Sequence, residues 1–211
     1  MAALSSVLLV EGNNDSHVIM ALCGHHKLPK NFKIIPCKGA DDVLRNMKIR
    51  LTTPELHPKI GIVLDADENV QGRLDSFLRN IAQCGKYDCT NTKLSSEGFI
   101  LKPTDEIFPT VGLWIMPNNS TGGMLEDFVV SLVHKDGETL MSKADEILDQ
   151  LEEEGIQKYK SVHRTKAKIH TFLAWQDEPG KPMGQAITAR LLNADAENAK
   201  PFIQWLKNLF G

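Results

Sequence analysis

Cysteine pairs at metal-ligand spacing are missing from this sequence. Its four cysteines, Cys23, Cys37, Cys84 and Cys89, form no CxxC unit, and only Cys84 and Cys89 lie close together. A zinc ribbon or finger needs two tight pairs, or histidines at a fixed spacing, and the adjacent His25 and His26 do not supply them. The thiols are therefore expected to be reduced and mostly buried, as in a cytoplasmic protein. Long apolar runs are missing too. Runs such as 7–10 and 60–64 are far short of the roughly 20 residues that cross a bilayer, so no membrane span is expected. Residues 1–6 carry no cationic stretch ahead of a long apolar core, so a secretory signal is not expected. Positive charge is not in excess: the net charge is −3, which argues against a generic nucleic-acid coat. It does not exclude an enzyme whose carboxylates receive their positive charge from bound cations. No GxxxxGK[ST] phosphate loop occurs, so an ATPase partner, if one is required, is a separate polypeptide.

What is present is an alternation of short aliphatic runs and helical spacings. The run SVLLV (6–10) stops at Glu11-Gly12-Asn13-Asn14-Asp15, which reads as a buried strand, a tight turn and a helix starting near Asp15. FKIIP (32–36) and IGIVL (60–64) read as the second and third strands, with Val43, Leu44 and Met47 at helical spacing between them. Helical spacing returns at Leu74, Phe77, Leu78 and Ile81, followed by strands over 98–101 and 111–116. A loop over 117–123 then leads into a helix near Met124. The pattern predicts an α/β, Rossmann-like fold with a largely parallel central sheet and helices on both faces. After about residue 138 no strand-like run remains, and helices are expected over 143–154, 167–175 and 199–210. The expected organisation is an α/β domain over 1–137 with a helical C-terminal extension, 138–211, packed on it.

In an open parallel sheet, ligands bind beyond the carboxyl ends of the strands. Three expected strands deliver acids there. Glu11 ends the first, and Asp15 follows in the first helical turn. Asp65 and Asp67 end the third, where an extended backbone would send both side chains to one face. Glu126 and Asp127 follow the glycine-containing loop after a later strand. Any one of these acids serves equally well as a helix cap. Convergence of the set would cost on the order of 3 kcal/mol per like-charge pair at about 5 Å, unless a hard cation were held. Oxygen-only ligands suit Mg2+ or Mn2+, and a pair of such ions suits phosphodiester chemistry.

The strand followed by Glu-Gly-x-x-Asp (Glu11 to Asp15) and, two strands on, by Asp-x-Asp (Asp65 to Asp67) resembles the Toprim domain. That domain is shared by topoisomerases, bacterial primases and nucleases of the overcoming-lysogenisation-defect type. The similarity spans roughly residues 5–135 in element order. It implies that Glu11 is the general acid/base or a metal ligand, that Asp15 shares that metal, and that Asp65 and Asp67 hold another Mg2+ or Mn2+. It also implies that Glu126 is the further acid of nuclease-type members, with Asp127 as its neighbour. The segment from Thr165 to Ala174 and from Pro179 to Gly184 is similar to small stand-alone Toprim-like proteins of undefined function. Topoisomerases need a tyrosine in a separate domain, and here only Tyr87 and Tyr159 exist. Primases bring a zinc module that this chain lacks. The nuclease branch fits best, with DNA or RNA as substrate.

The densest positive stretch, Lys158, Lys160, His163, Arg164, Lys166 and Lys168, reads either as a phosphate grip or as a solvated helix face. Lys166, inside the family-like segment, is the expected catalytic cation. Lys181 reads as a turn residue or part of an anion nest, Trp175 and Trp205 as core rather than base-stacking residues, and His25 and His26 as a helix cap. Beside the nuclease stands a non-catalytic Toprim-like module that binds a metal, a nucleotide or a regulatory partner. More distant is a haloacid-dehalogenase-like phosphatase with Asp65 as nucleophile, although that motif normally follows the first strand. The oligomeric state stays open, a homodimer included.

Overall fold

The computed structural model describes residues 5–53, 57–90 and 92–211. Residues 1–4, on which most of the signal-peptide expectation falls, lie outside the described residues. Five strands form one sheet: β1 (Ser6–Val10), β2 (Phe32–Pro36), β3 (Lys59–Asp65), β4 (Phe99–Leu101) and β5 (Thr110–Met116). Their order is β2-β1-β3-β5-β4, all parallel except β4, which runs antiparallel at the edge. The mixed α/β architecture is the expected one.

Side chains alternate strictly across the central strands, and both sets are buried. Val7, Leu9, Ile60, Ile62, Leu64, Val111, Leu113 and Ile115 face one core, closed by α2 (Ala40–Leu51) and α3 (Val70–Ala82). Leu8, Val10, Val63, Trp114 and Met116 face the other. That second core is closed by α1 (Asn13–His25), α4 (Leu125–Val130), α6 (Arg164–Ala174), α7 (Met183–Thr188) and α8 (Lys200–Phe210), while α5 (Glu138–Glu153) packs outside on α6.

The C-terminal helix lies directly on the sheet because two strand positions there have no side chain. A Cβ at Gly61 would stand 2.6 Å from Leu8 Cδ1 and 3.0 Å from the Phe210 ring, and one at Gly112 would stand 2.6 Å from Leu209 Cδ2. Leu209, Phe210 and Trp205 fill that space instead. Trp205 is core as expected, its indole N–H donating to the Phe99 carbonyl at 3.2 Å. Trp175 is not. It caps the C-terminus of α6 and is 42% exposed, since the chain turns away from the core there. α7 is not among the expected helices: Met183, Ala186 and Ile187 fall at helical spacing, but six residues give that period a single repeat. Its place is set by Gly184, where a Cβ would come within 2.6 Å of the His17 carbonyl on α1.

β1 and β3 are neighbours, yet their following helices, α1 and α3, lie on opposite faces. The sheet therefore opens a crevice beyond the carboxyl ends of these two strands. Among the described residues, no helix is long and apolar enough to cross a membrane.

Candidate metal centre

Four of the six candidate acids line one pocket at that crevice. Glu11, Asp15, Asp65 and Glu126 surround a volume of about 350 Å³, together with Gly12, Gly39, His163 and Lys166. Each arrives by a different local device. Glu11 follows β1, and its Oε1 accepts the Asp65 backbone N–H at 2.8 Å. Asp15 sits in the first turn of α1, where the helix N-terminus favours negative charge. Asp65 ends β3, and its Oδ1 accepts the Leu125 N–H at 2.9 Å, at the N-terminus of α4. Glu126, in the first turn of α4, is 5% exposed, and its Oε1 pairs with the Lys166 ammonium at 2.9 Å.

Burial and mutual repulsion govern the electrostatics. Desolvation, reinforced by the charges of Asp15, Glu11 and Glu126, pushes the Asp65 carboxyl up to about 8. Desolvation raises Asp15 to about 6 against the pull of local backbone N–H groups, with Glu11 and Glu126 adding to the rise. Glu11 is also raised by burial, with the Asp65 N–H and the Arg73 charge opposing. One oxygen, Asp15 Oδ1, is buried and has no hydrogen-bond partner. Buried polar atoms are seldom left so, because each costs about 1–3 kcal/mol. A cation in the pocket would satisfy this atom and relieve the crowded charge at once. The donors are carboxylate oxygens throughout, which fits Mg2+ or Mn2+. No three of the pocket acids bring ligand atoms within 4.8 Å of one another. Among the described residues, the one group that brings three ligand atoms within 4.8 Å of one another is His25, His26 and Asp195.

Asp67 and Asp127 stand elsewhere. The backbone at Asp67 is left-handed (φ 51°), and its main chain exchanges hydrogen bonds with Gly123, N–H to carbonyl at 3.0 and 2.7 Å. The extended geometry that would align it with Asp65 ends at that residue. Its carboxylate pairs with Arg73 in a neighbouring groove lined by Glu68 and Asn69. Asp127 caps α4: Oδ2 accepts the Met124 N–H at 2.8 Å and Oδ1 accepts the Thr165 hydroxyl at 2.9 Å. It does not line the pocket.

The basic stretch divides in the same way. Arg164 binds Asp145, Asp149 and Glu152, and Lys168 binds Asp145 at 2.6 Å, so both tie α6 to α5. Lys158 and Lys160 are exposed, and only His163 and Lys166 reach the pocket. Lys181 pairs with Glu178 beside it. Arg73, absent from the expected set, also serves the site. Its Nε donates to the Asp65 carbonyl at 2.9 Å, bracing the strand end. Nothing in its local spacing marks that role, which depends on α3 returning over β3.

A family model described as "Protein of unknown function (DUF3226)" matches residues 5–211 of the chain. Among curated proteins none matches. A solved structure, the C-terminal region of the Xanthomonas campestris pv. campestris OLD protein, is similar at 14% identity and a TM-score of 0.49, covering 99% of this chain and 96% of that one.

Proposed function

The chain belongs to the DUF3226 family of proteins of unknown function; from that premise and from its pocket, we propose that it is a Toprim-type protein that cleaves DNA or RNA phosphodiesters with Mg2+ or Mn2+. The observation that carries this reading is the buried, unpartnered Asp15 Oδ1 in a pocket shared with Glu11, Asp65 and Glu126. Four carboxylates at a sheet switch point, at least three of them pushed toward the protonated form, cost stability that a binding site can recover. Glu11, Asp15, Asp65 and Glu126 would hold the metal, with Asp67 at the edge of the neighbouring groove. The bound cation supplies Lewis-acid neutralisation of phosphoryl charge. Glu11, held by the Asp65 N–H through one oxygen, would take a proton from water. Its raised pKa brings it closer to the operating pH of a general base. Lys166 would exchange Glu126 for a phosphate oxygen of the substrate.

A second reading, a non-catalytic module that binds a metal, a nucleotide or a partner protein, draws on one observation. The chain's own cations, Lys166 and Arg73, already neutralise Glu126 and Asp67. One assay separates the two. The purified chain and its Asp65→Asn variant are incubated with circular DNA and with RNA, in Mn2+, Mg2+ or EDTA. Metal-dependent cleavage reduced on the order of 100-fold or more in the variant is the expected result. Equal cleavage by both proteins would mean a contaminant. Silence from both, with metal binding measurable by calorimetry, would leave the binding module.

A further inference from the structure

Adjacent in sequence at a helix end, His25 and His26 lack the spacing of a familiar ligand pair, yet both rings face one carboxylate. His25 closes α1 and His26 is its C-cap. Their third partner comes from the turn between α7 and α8. There the Asn193 N–H donates to the Leu132 carbonyl at 2.6 Å, and Asn193 Oδ1 accepts the Asp195 N–H at 3.0 Å, presenting the Asp195 carboxylate to the helix end. His25 Nε2 lies 2.9 Å from Asp195 Oδ2, and His26 Nδ1 lies 3.9 Å from Asp195 Oδ1.

A second observation fixes which nitrogen of His26 is available. Its Nε2 lies 2.9 Å from the Ala194 carbonyl. A carbonyl can only accept, so Nε2 carries the proton, and in the neutral ring the lone pair sits on Nδ1, on the Asp195 side. A backbone carbonyl that holds one ring nitrogen while the other faces the ion is the usual outer-shell arrangement of a metal-binding histidine. The two rings are 4.9 Å apart and inclined at 76°, so their nitrogens approach from separate directions. A tetrahedral ion with bonds of about 2.0–2.1 Å spaces its ligand atoms about 3.3 Å apart, between the two separations found.

We propose that His25 Nε2, His26 Nδ1 and the Asp195 carboxylate form a site for Zn2+ or a similar borderline transition ion, with the remaining position open to solvent. Nitrogen donors separate this site from the acidic pocket in ligand preference, since imidazole suits Zn2+ and carboxylate suits Mg2+. Position separates them too. His25 stands ten residues along α1 from Asp15, about 15 Å away at the helical rise. The ion would fasten the end of α1, whose other end carries Asp15, to the turn ahead of α8.

The test is calorimetric titration of the chelator-treated full chain with Zn2+ in excess Mg2+, which occupies oxygen-only sites. One Zn2+ is expected to bind and to raise the unfolding temperature. Asp195→Asn and His26→Ala should each weaken it by roughly 10–100-fold or more, while Asp65→Asn should not. The Asp195 side chain is 67% exposed, so its substitution leaves the fold in place. Co2+ in place of Zn2+ should give a visible absorption that disappears in His26→Ala. Zn2+ binding that is absent, or that is unchanged in both Asp195→Asn and His26→Ala, would leave a simple His–Asp ion pair at a helix end and overturn the proposal.

Discussion

The carboxylate of Glu11 is fastened to the backbone of Asp65, its Oε1 accepting that residue's N–H at 2.8 Å. The acid that ends one strand is thereby locked to the end of its neighbour, and the position of each depends on the other. Substituting Glu11→Ala removes the acceptor for a partly buried N–H as well as a carboxylate. It should therefore disturb the geometry at Asp65 as well as the charge, whereas Glu11→Gln keeps the hydrogen bond and isolates the charge.

Asp15 offers the sharpest separation of stability from function. Its buried carboxylate has an unpartnered oxygen and like charges around it. Asp15→Asn should raise the stability of the metal-free protein by about 1–2 kcal/mol and lower its Mn2+ affinity. Urea unfolding beside calorimetry checks both. Lower stability together with unchanged affinity would show that Asp15 is a structural acid.

The metal-free protein should lose stability as pH rises. Asp65 titrates near 8 in the folded protein against 3.8 as the ordinary value, and Asp15 near 6. The folded state therefore binds protons more tightly than the unfolded chain between about pH 4 and 8, and stability falls across that window. A drop in Tm on the order of 5 °C between pH 5 and pH 8 is expected in EDTA. Saturating Mg2+ at pH 8 should restore most of it. A flat profile in EDTA would mean that the pocket acids are already compensated.

Lys166→Met leaves Glu126 without its cation in a site where that side chain is 6% exposed. Stability without metal should fall by about 1–2 kcal/mol. If Lys166 also contacts substrate phosphate, cleavage at saturating Mn2+ should drop by roughly 10-fold or more with unfolding restored to the parental level. Full activity in Mn2+ would confine Lys166 to neutralising Glu126.

Gly112→Ala tests how closely α8 lies on the sheet. The added methyl would meet Leu209 Cδ2 at 2.6 Å and the Trp205 ring at 3.1 Å. Overpacking of this kind costs about 1–3 kcal/mol, and the urea midpoint should fall accordingly.

The residues themselves carried much of this protein. Short apolar runs such as 7–10 and 60–64, buried on both faces, read as parallel core strands, and the acids that follow these two fell at the rim where such sheets bind ligands. Those are local properties, set by side-chain period and by the direction of the chain. Which acids would meet was decided by tertiary structure. Asp67 left the pocket because its backbone turns left-handed against Gly123, and Asp127 because Met124 and Thr165 claim its oxygens. Arg164 and Lys168 joined α5 rather than the pocket, Gly61 and Gly112 admitted α8, and Asp195 reached His25 across most of the chain length. Most of these outcomes depend on a neighbour far away in sequence (Asp67 on Gly123, Asp127 on Thr165, Lys168 on Asp145, His25 on Asp195), which only the folding of the chain brings within reach.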